Sequence, residues 1–581
     1  MLNGVSKQFW EKSKTWFLII IGSFVWSLTM IKSGLVYSFG MGFWGANGHD
    51  AIWHIALAES LSRGDFGMPV FAGYPLQNYH IGFDLFLAAL HVLTRSNLVN
   101  LYFQILPPLF AILIGYLVYV FVVEWTKSEK AGLWSLFFVY FGGSFGYLIG
   151  KGESAFWSQQ AISTLINPPF ALSLIFILSG LLFLIKYQKT SGTRYLILSI
   201  LFFGSLMEIK VYAGVLVLGG LFCASVFEFF KHRRDPTMLI HINIVKAFAG
   251  SLAVSLIMFL LFERKSVSLL VWQPFWFLET MMGLTDRVGW LKFYSAMTTY
   301  KAGHIWFKEI PAYLIAFAVF WVGNMGIRIV KEFVIWKWIK NIRDIGWIEV
   351  FVSGVIVAGG LIPMFFLQKG TPWNTIQFFY YSLFFSSIMA GVSIPQILGS
   401  IKNTIVIRIM AVAIVVLTLP TTILTLKEVY LPGRPPAKLS NEELQALNFL
   451  KTQPGGVVLT YPFNEVKAGE AENNPPRPLY LYASTAYVSA FSSHPTFLED
   501  EINLDITGYN WPERRSLVEN WYKEKDLAKA VKFLKDNNIK YVYWLKGLSG
   551  QAGQRAFFGE GQLGLVKIFE NKEVDVFVVK S

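Results

Sequence analysis

The chain has 581 residues, a length that would suit three or four soluble domains. Its composition excludes that organisation, because 54% of the residues are hydrophobic and only 15% are charged, against about 25% charged residues in soluble domains. The apolar residues come in long runs, so the sequence predicts an integral membrane protein and excludes a disordered chain or a cytosolic enzyme. Cys223 is the only cysteine, which excludes an intramolecular disulfide and a cysteine metal cluster.

The formal net charge of +13 does not indicate a nucleic-acid partner. Lysines and arginines cluster in short segments between the apolar runs, as they do in the cytoplasmic loops of membrane proteins. The expected partners are therefore membrane lipids, and no nucleic acid is expected.

The first apolar run, residues 16–37, follows a basic start and lacks a small-residue cleavage site, so it predicts a retained first helix with a cytoplasmic N-terminus. The predicted fold class is a polytopic α-helical membrane protein with about 11 transmembrane helices and a C-terminal soluble α/β domain. The other spanning runs centre near residues 100–123, 131–150, 168–186, 195–208, 211–230, 238–262, 310–328, 347–367, 376–398 and 404–426.

The charges of the connecting loops predict the orientation. Short basic loops, among them 127–130 and 328–343, are expected in the cytoplasm. Alternation then places two long loops, 38–99 and 263–309, on the outer face together with everything after residue 426. The predicted location is the plasma or inner membrane, with the C-terminal domain outside.

Two domains follow from this pattern. Residues 1–426 form the transmembrane domain, and residues 427–581 form an extracytoplasmic α/β domain after a stiff proline-rich linker. The predicted elements of the second domain are a helix over 526–538 and strands at 456–460, 540–545, 565–569 and 574–579. Asn571-Lys572 lies between the last two strands and predicts a hairpin turn.

The outer loop 38–99 carries the most informative polar residues. Asp50 and His54 are four residues apart at the start of a predicted helix, so they share one face of it, and His80 and Asp84 repeat this spacing. Placing an ionisable side chain beside a bilayer costs free energy, so the presence of these four residues favours a functional role for them. The alternative is that Asp50 only caps its helix and that the histidines lie at an ordinary hydrated interface.

Two lysines lie on the predicted outer face, although lysines and arginines of membrane proteins concentrate in the cytoplasmic loops. Lys210 lies between two predicted helices, and Lys369 lies in a turn that also contains Asn374. An ammonium group is a compact donor for a phosphate. The alternatives are that Lys210 pairs with Glu208 and that Lys369 extends its side chain to the interface from a helix end.

These residues resemble the GT-C glycosyltransferases, in the branch of the lipid A aminoarabinose transferases and protein O-mannosyltransferases. In that branch a catalytic Asp follows the first helix, and a Leu-x-x-Gly-Asp element with a nearby Pro comes next. The matching residues are Asp50, Leu61, Gly64, Asp65 and Pro69. The turns at Lys210 and at Lys369-Gly370 resemble the lysines that hold the donor phosphate in the family.

The resemblance implies an enzyme that transfers a hexosyl or pentosyl group from a polyprenyl-phosphate donor to an acceptor on the outer face, with inversion at the anomeric carbon. It implies that Asp50 is the catalytic base. The implied substrate-binding residues are His54, Asp65, His80, Lys210, Lys369 and Asn374.

The sequence also departs from the family. Ala51 stands where an acidic residue often follows the catalytic Asp, and Gln77, Asn78 and His80 replace a Glu-Lys-Pro element. The resemblance therefore identifies neither the transferred sugar nor the acceptor, whether lipid, glycan or protein. No cofactor is certain. His54 and His80, with His49 and Asp50, offer ligands for a divalent metal, although hydrogen-bonding histidines are the favoured interpretation.

Two other functions remain open from the sequence. A transporter or flippase for an anionic lipid or sugar would also place lysines in an outer cavity, but the related halves typical of transporters are not visible. A membrane-anchored binding module would need far fewer helices.

Overall fold

The computed structural model describes residues 2–232, 238–261, 270–524, 526–546, 548 and 564–580. Side chains are described from residue 13 and, after the first gap, from residue 243. The start of the predicted outer loop 263–309 lies outside the described residues. The chain divides into two compact units. Over the described residues, the helical unit comprises residues 2–29, 107–261 and 270–431, and the mixed unit comprises residues 30–106 and 432–580.

The chain is mostly helical, and eight of its helical segments are long and apolar enough to cross a membrane, counted over the described residues. These segments are Leu98–Thr126, Pro168–Thr190, Val211–Lys231, Asn243–Leu260, Trp306–Lys340, Trp347–Phe365, Pro372–Gly399 and Thr404–Tyr430. They coincide with eight of the predicted spanning runs, which confirms the polytopic helical fold class. The run nearest the N-terminus, residues 16–37, is helical only as far as Ser27, where the helix Leu2–Ser27 ends, and its last residues form the strand Val36–Tyr37.

Two predicted spans are shorter than expected. The run at 131–150 forms the 13-residue helix Glu129–Phe141, and the run at 195–208 forms the 12-residue helix Thr193–Gly204, whereas a span needs about 20 residues. The first of these helices ends at Gly142, where an added Cβ would lie 2.5 Å from the Phe138 carbonyl oxygen. Hydropathy detected the apolar stretch but not the backbone break that ends the helix.

The basic residues of the predicted cytoplasmic loop 328–343 do not all face solvent. The Arg328 side chain is buried and donates to the carbonyl oxygens of Asn324 and Met325, at 2.7 and 3.0 Å, and also to the Gln160 side chain. Lys331 is buried as well and pairs with Glu332. Two of the charges used to orient the chain are thus interior, which is possible because partners within the protein replace water around each cation.

The remaining helices of the helical unit connect these segments. They are Leu206–Ile209, Trp276–Gly283 and Leu291–Ala302. Strands Leu270–Trp272 and Phe366–Gln368 form a small antiparallel pair in which Leu270 is opposite Gln368.

A four-stranded sheet lies within the mixed unit, in the order Val457–Leu459, Ile539–Leu545, Val574–Val579, Leu565–Glu570. The first pair is parallel and the other two pairs are antiparallel. All four strands confirm the sequence prediction, as does the helix Leu527–Asp536. The Asn571 side chain accepts from the backbone N–H of Val574 at 2.9 Å in the predicted hairpin turn.

A second sheet joins loop 38–99 to the C-terminal residues. Its strands, in order, are Val36–Tyr37, Gly40–Phe43, Ala437–Leu439 and Arg477–Pro478. Farther along, the Ala72 N–H donates to Thr496 O at 2.9 Å, and Tyr509 Oη donates to Pro75 O at 2.6 Å. The predicted outer loop and the predicted C-terminal domain therefore fold as one unit.

The helices of the mixed unit come from both parts of the chain. From the N-terminal part they are Asp50–Ser62, Gly82–Thr94 and Leu98–Asn100. From the C-terminal part they are Asn441–Lys451, Glu465–Glu472, Tyr487–Ser492, Glu501–Thr507, Trp511–Lys523 and Leu527–Asp536.

Candidate active site

Asp50 is the first residue of the helix Asp50–Ser62, and its side chain is exposed. The N-cap position belongs to His49, and no side chain caps this helix. The carboxylate of Asp50 accepts no hydrogen bond from the residues that the structure describes. A negative charge in the first turn is favourable because the helix N-terminus carries a partial positive charge. Asp50 is thus held in place by its helix while its carboxylate stays available to a ligand.

His49 connects this helix start to the C-terminal half of the mixed unit. Its Nδ1 lies 2.9 Å from Ser484 Oγ in a hydrogen bond, and its ring packs edge-on against Tyr482 at 4.4 Å between centroids. Burial lowers the pKa of His49 below its ordinary value, and the nearby carboxylate of Asp50 only partly offsets this. A neutral imidazole therefore stands next to Asp50 at neutral pH.

The His54 side chain is buried, and its substrate-binding role stays a prediction. Its Nδ1 is 2.7 Å from Asp84 Oδ1, and both side chains are buried. The pair connects the helices Asp50–Ser62 and Gly82–Thr94 and packs between Phe83 and Tyr102. The spacing in the sequence placed His54 on the same helix as Asp50, but the structure gives His54 a structural partner.

Asp65 and His80, the other predicted substrate contacts of the loop, are placed differently. Asp65 is exposed, and its carboxylate accepts from the Gly67 N–H at 2.8 Å in a turn. His80 is partly exposed and stacks on Tyr79 at 4.6 Å. Both stay predictions as substrate residues.

Two further carboxyl groups of the mixed unit were not singled out in the sequence. Asp500 caps the helix Glu501–Thr507 and accepts from the Asn503 N–H at 3.1 Å, and Glu499 accepts from the N–H groups of Val488 and Ser489 at 3.0 Å each. Burial raises the pKa of Asp500 to about 7 and that of Glu499 to about 8. The negative charge of Asp50 also raises the pKa of Asp500. The three consecutive acidic residues at 499–501, in an apolar stretch, are the sequence feature that could have indicated these carboxyl groups.

Lys210 lies at a break between the helices Leu206–Ile209 and Val211–His232 in the helical unit. Its backbone is extended there, with φ −160° and ψ 106°. The side chain is buried, and its Nζ lies 3.4 Å from Asn167 Oδ1. The kink in the helix therefore turns an ammonium group inward, toward the start of the helix Pro168–Thr190 that Asn167 caps.

The turns that carry the two lysines lie close together within the helical unit. Tyr212, two residues after Lys210, donates its hydroxyl to Gln368 Oε1 at 2.7 Å, and Gln368 immediately precedes Lys369. The Lys369 side chain is exposed. In the same turn Asn374 Nδ2 donates to Thr371 Oγ1 at 3.1 Å. The structure thus places the segment after Lys210 beside the turn that carries Lys369 and Asn374, although Lys210 and Lys369 are 159 positions apart in the sequence.

The predicted metal ligands His54 and His80 belong to no cluster of three or more candidate ligands among the described residues. Over the described residues, no group of three or more His, Cys, Asp or Glu side chains is placed to hold a metal ion. His54 Nδ1 is already engaged by Asp84. No step of the chemistry is therefore assigned to a metal, and the possible metal stays a prediction.

Comparison with known proteins identifies the fold. No family model and no curated protein matches the chain. The structure is similar to the crystal structure of the oligosaccharyltransferase of Archaeoglobus fulgidus tethered with an acceptor peptide, with a TM-score of 0.50 and 12% identity over 93% of this chain and 69% of that one. The apo form of the same protein matches with a TM-score of 0.50 and 10% identity, over 93% and 70% of the two chains.

A second similar protein is the arabinofuranosyltransferase AftD from Mycobacteria. The TM-score is 0.51 and the identity 12%, over 98% of this chain and 40% of AftD. At these identities the similarity concerns the fold alone.

Proposed function

We propose that the protein is a membrane glycosyltransferase that transfers a sugar from a polyprenyl-phosphate donor to an acceptor on the outer face of the membrane, with inversion. The observation that carries the proposal is the free carboxylate of Asp50. It lies at the position of the catalytic Asp in the family motif, begins a helix, and is neither a cap nor paired with any described residue. The GT-C fold supports the same reaction class.

In this reaction Asp50 acts as the general base. It takes the proton of the acceptor hydroxyl while that oxygen forms a bond to the anomeric carbon of the donor. The bond between the anomeric carbon and the phosphate oxygen breaks, and positive charge develops on the sugar as in other glycosyl transfers. Polyprenyl phosphate leaves with the electron pair of that bond.

Lys210 and Lys369 hold the phosphate of the donor. The leaving phosphate gains negative charge as the bond breaks, so fixed ammonium groups stabilise the transition state more than the ground state. The Tyr212–Gln368 hydrogen bond keeps the two lysine-bearing turns together. Asn374, in the second of these turns, adds a polar contact for the donor head group.

The mixed unit is proposed to lie outside the cytoplasm and the N-terminus inside. Single cysteines introduced at Trp511 and at Lys337 in a Cys223→Ala background test this orientation. An impermeant thiol reagent added to intact cells is expected to label residue 511 and to leave residue 337 unlabelled until the cells are opened. The reverse pattern would contradict the orientation.

Reconstitution in liposomes tests the function itself. Purified protein is supplied with polyprenyl-phosphate sugars labelled in the sugar and with an extract of envelope acceptors, and Asp50→Asn serves as the inactive control. Transfer of the label to an acceptor, with release of free polyprenyl phosphate, is expected of the wild type only. Movement of the intact donor across the bilayer, without cleavage, would instead show a flippase.

A further inference from the structure

A small cavity lies inside the helical unit, where several of its segments meet. Its volume is about 30 Å³, and one water molecule needs about 10–15 Å³. The cavity therefore has room for one or two waters or for one ion of halide size, and it is too small for a sugar or a lipid phosphate. The lining residues used below are Val139, Gln159, Gln160, Phe170, Arg328 and Leu383.

Arg328 brings a positive charge to this cavity. Its side chain is only 1% exposed, and it lies within the apolar helical segment Trp306–Lys340. Its hydrogen bonds go to carbonyl and amide oxygens, and to no carboxylate among the described residues. Oxygen dipoles offset only part of a full charge, and a buried charge without a counter-charge is costly. An anion in the cavity would remove this cost.

The Arg328 guanidinium also has N–H groups without an acceptor. Nε donates to the carbonyl oxygen of Met325, and Nη2 donates to the carbonyl oxygens of Gly143 and Asn324 and to the Gln160 side chain. Nη1 makes no hydrogen bond with any residue that the structure describes. Buried N–H groups are nearly always paired in folded proteins. The open side of the guanidinium therefore points to a bound acceptor.

The acidic residue linked to Arg328 is one step removed from it. Glu153 accepts from the Gln160 backbone N–H at 3.2 Å and from the Ser163 hydroxyl at 2.5 Å, and Gln160 in turn accepts from Arg328 with its side chain. Glu153 lies outside the candidate membrane spans, and burial raises its pKa to about 7. Glu153 is thus only partly ionised at neutral pH and does not supply a full counter-charge.

The rest of the lining indicates the kind of anion. Val139, Phe170 and Leu383 are apolar, so an ion that enters must leave most of its hydration shell behind. That cost is lower for a singly charged halide than for sulfate or phosphate, because the charge is smaller. The side-chain amide of Gln159, which makes no hydrogen bond with the described residues, offers a second N–H donor beside Arg328.

We propose that this cavity binds one monovalent anion of halide size, chloride being the common one in cells, in contact with the Arg328 guanidinium. The anion links the turn at Arg328 to the segment around Gln159 and to the helix Gln377–Gly399 that carries Leu383, and so stabilises the helical unit. The inference does not depend on the proposed glycosyl transfer.

The first test measures the melting temperature of the full chain, purified in sodium gluconate and reconstituted in nanodiscs. Chloride or bromide then replaces gluconate, which is too large for the cavity, at constant ionic strength. A ligand that binds only the folded protein stabilises it increasingly with concentration. Each halide should raise the melting temperature by a few degrees. Equal melting temperatures in all three salts would contradict the proposal.

Two substitutions remove the site in different ways. Val139→Ile adds a methyl group that fills the cavity and leaves Arg328 in place, so it should abolish the halide response without loss of stability in gluconate. Arg328→Gln removes the charge and should abolish the response too. The matched controls are Val406→Ile and Arg408→Gln, exposed positions of the helix Thr404–Thr418, and they should respond like the wild type.

Val139→Ile decides the outcome if Arg328→Gln does not fold. A halide response of wild-type size in Val139→Ile would show that the ion binds elsewhere and would overturn the proposal.

Bromide also reports the position of the ion. Crystals soaked in sodium bromide should give an anomalous peak in the cavity, within hydrogen-bond distance of Arg328 Nη1. Density there without an anomalous peak would show that the cavity holds water only, which would refute the anion site. None of these measurements uses a sugar donor, so their outcome is independent of whether the protein transfers a sugar.

Discussion

The proposed base and the proposed phosphate ligands belong to different compact units and are held in opposite ways. In the mixed unit, Asp50 is exposed at the start of its helix and makes no hydrogen bond with the described residues. In the helical unit, Lys210 is buried at a helix break beside Asn167. The Asp50 carboxylate is thus free to act on a substrate, whereas packing fixes the Lys210 ammonium group in place. Their substitutions should therefore affect different kinetic constants.

The largest expected effect is that of Asp50→Asn. Loss of a general base should lower kcat by about 100-fold or more, while the melting temperature stays near that of the wild type because Asp50 neither caps nor pairs. Asp505→Asn, which changes an exposed carboxylate of the mixed unit outside the proposed site, is the control and should retain most of the activity. A rate near that of the wild type in Asp50→Asn would show that the base lies elsewhere, with Asp65 and Asp84 the next candidates.

The next effect concerns the lysines. Lys210→Met and Lys369→Met should each raise the donor KM by roughly 10-fold, because each removes a charged hydrogen bond to the phosphate. Lys→Arg at either position should not restore affinity, since the planar guanidinium differs from an ammonium. Lys402→Met, in a predicted cytoplasmic loop, is the control. Donor affinity equal to that of the wild type in both methionine variants would exclude the two lysines as phosphate ligands.

Asp84→Asn removes the carboxylate charge from the buried pair with His54 and should act on stability more than on chemistry. A buried hydrogen bond to a charged group contributes about 1.5–3 kcal/mol, so the melting temperature in detergent should fall clearly. Activity per folded molecule should fall far less than in Asp50→Asn. If Asp84→Asn instead lowers kcat about as much as Asp50→Asn without loss of stability, the pair takes part in the reaction.

The smallest effect is a pH dependence at Asp500. Its pKa in the folded state is about 7, above the ordinary value of 3.8, so the folded protein holds a proton that the unfolded chain has lost. Stability then falls as the pH rises from about 4 to about 7. Asp500→Asn keeps the helix cap and removes this cost.

The melting temperature of Asp500→Asn should exceed that of the wild type by a few degrees at about pH 8, and the gain should shrink toward about pH 5. Asp526→Asn, which changes an exposed cap on the helix Leu527–Asp536, is the matched control. A gain that does not depend on pH would show that Asp500 is not a buried, proton-holding carboxyl group.

Local patterns accounted for much of the fold. Apolar runs of sufficient length predicted the eight candidate spans, because a helix satisfies its own backbone and needs only apolar side chains to cross a bilayer. Alternating residues and a turn signal predicted the four C-terminal strands. The local sequence also predicted that a helix begins at Asp50.

Long-range packing decided the rest. Residues 36–43 form a sheet with Ala437–Leu439, some 400 positions away along the chain, and no local pattern specifies that partner. The pairing of His54 with Asp84 and the burial of Arg328 follow from the same cause.

The sequence by itself determined that this is a polytopic membrane protein with an acid after its first helix and lysines in two later turns. Only the tertiary structure decided that loop 38–99 and the C-terminal residues form one unit, that a hydrogen bond joins the segments carrying Lys210 and Lys369, and that burial raises the pKa of Asp500. Periodicity reports how each segment buries its own apolar side chains, whereas contacts and pKa values depend on which distant segment covers it.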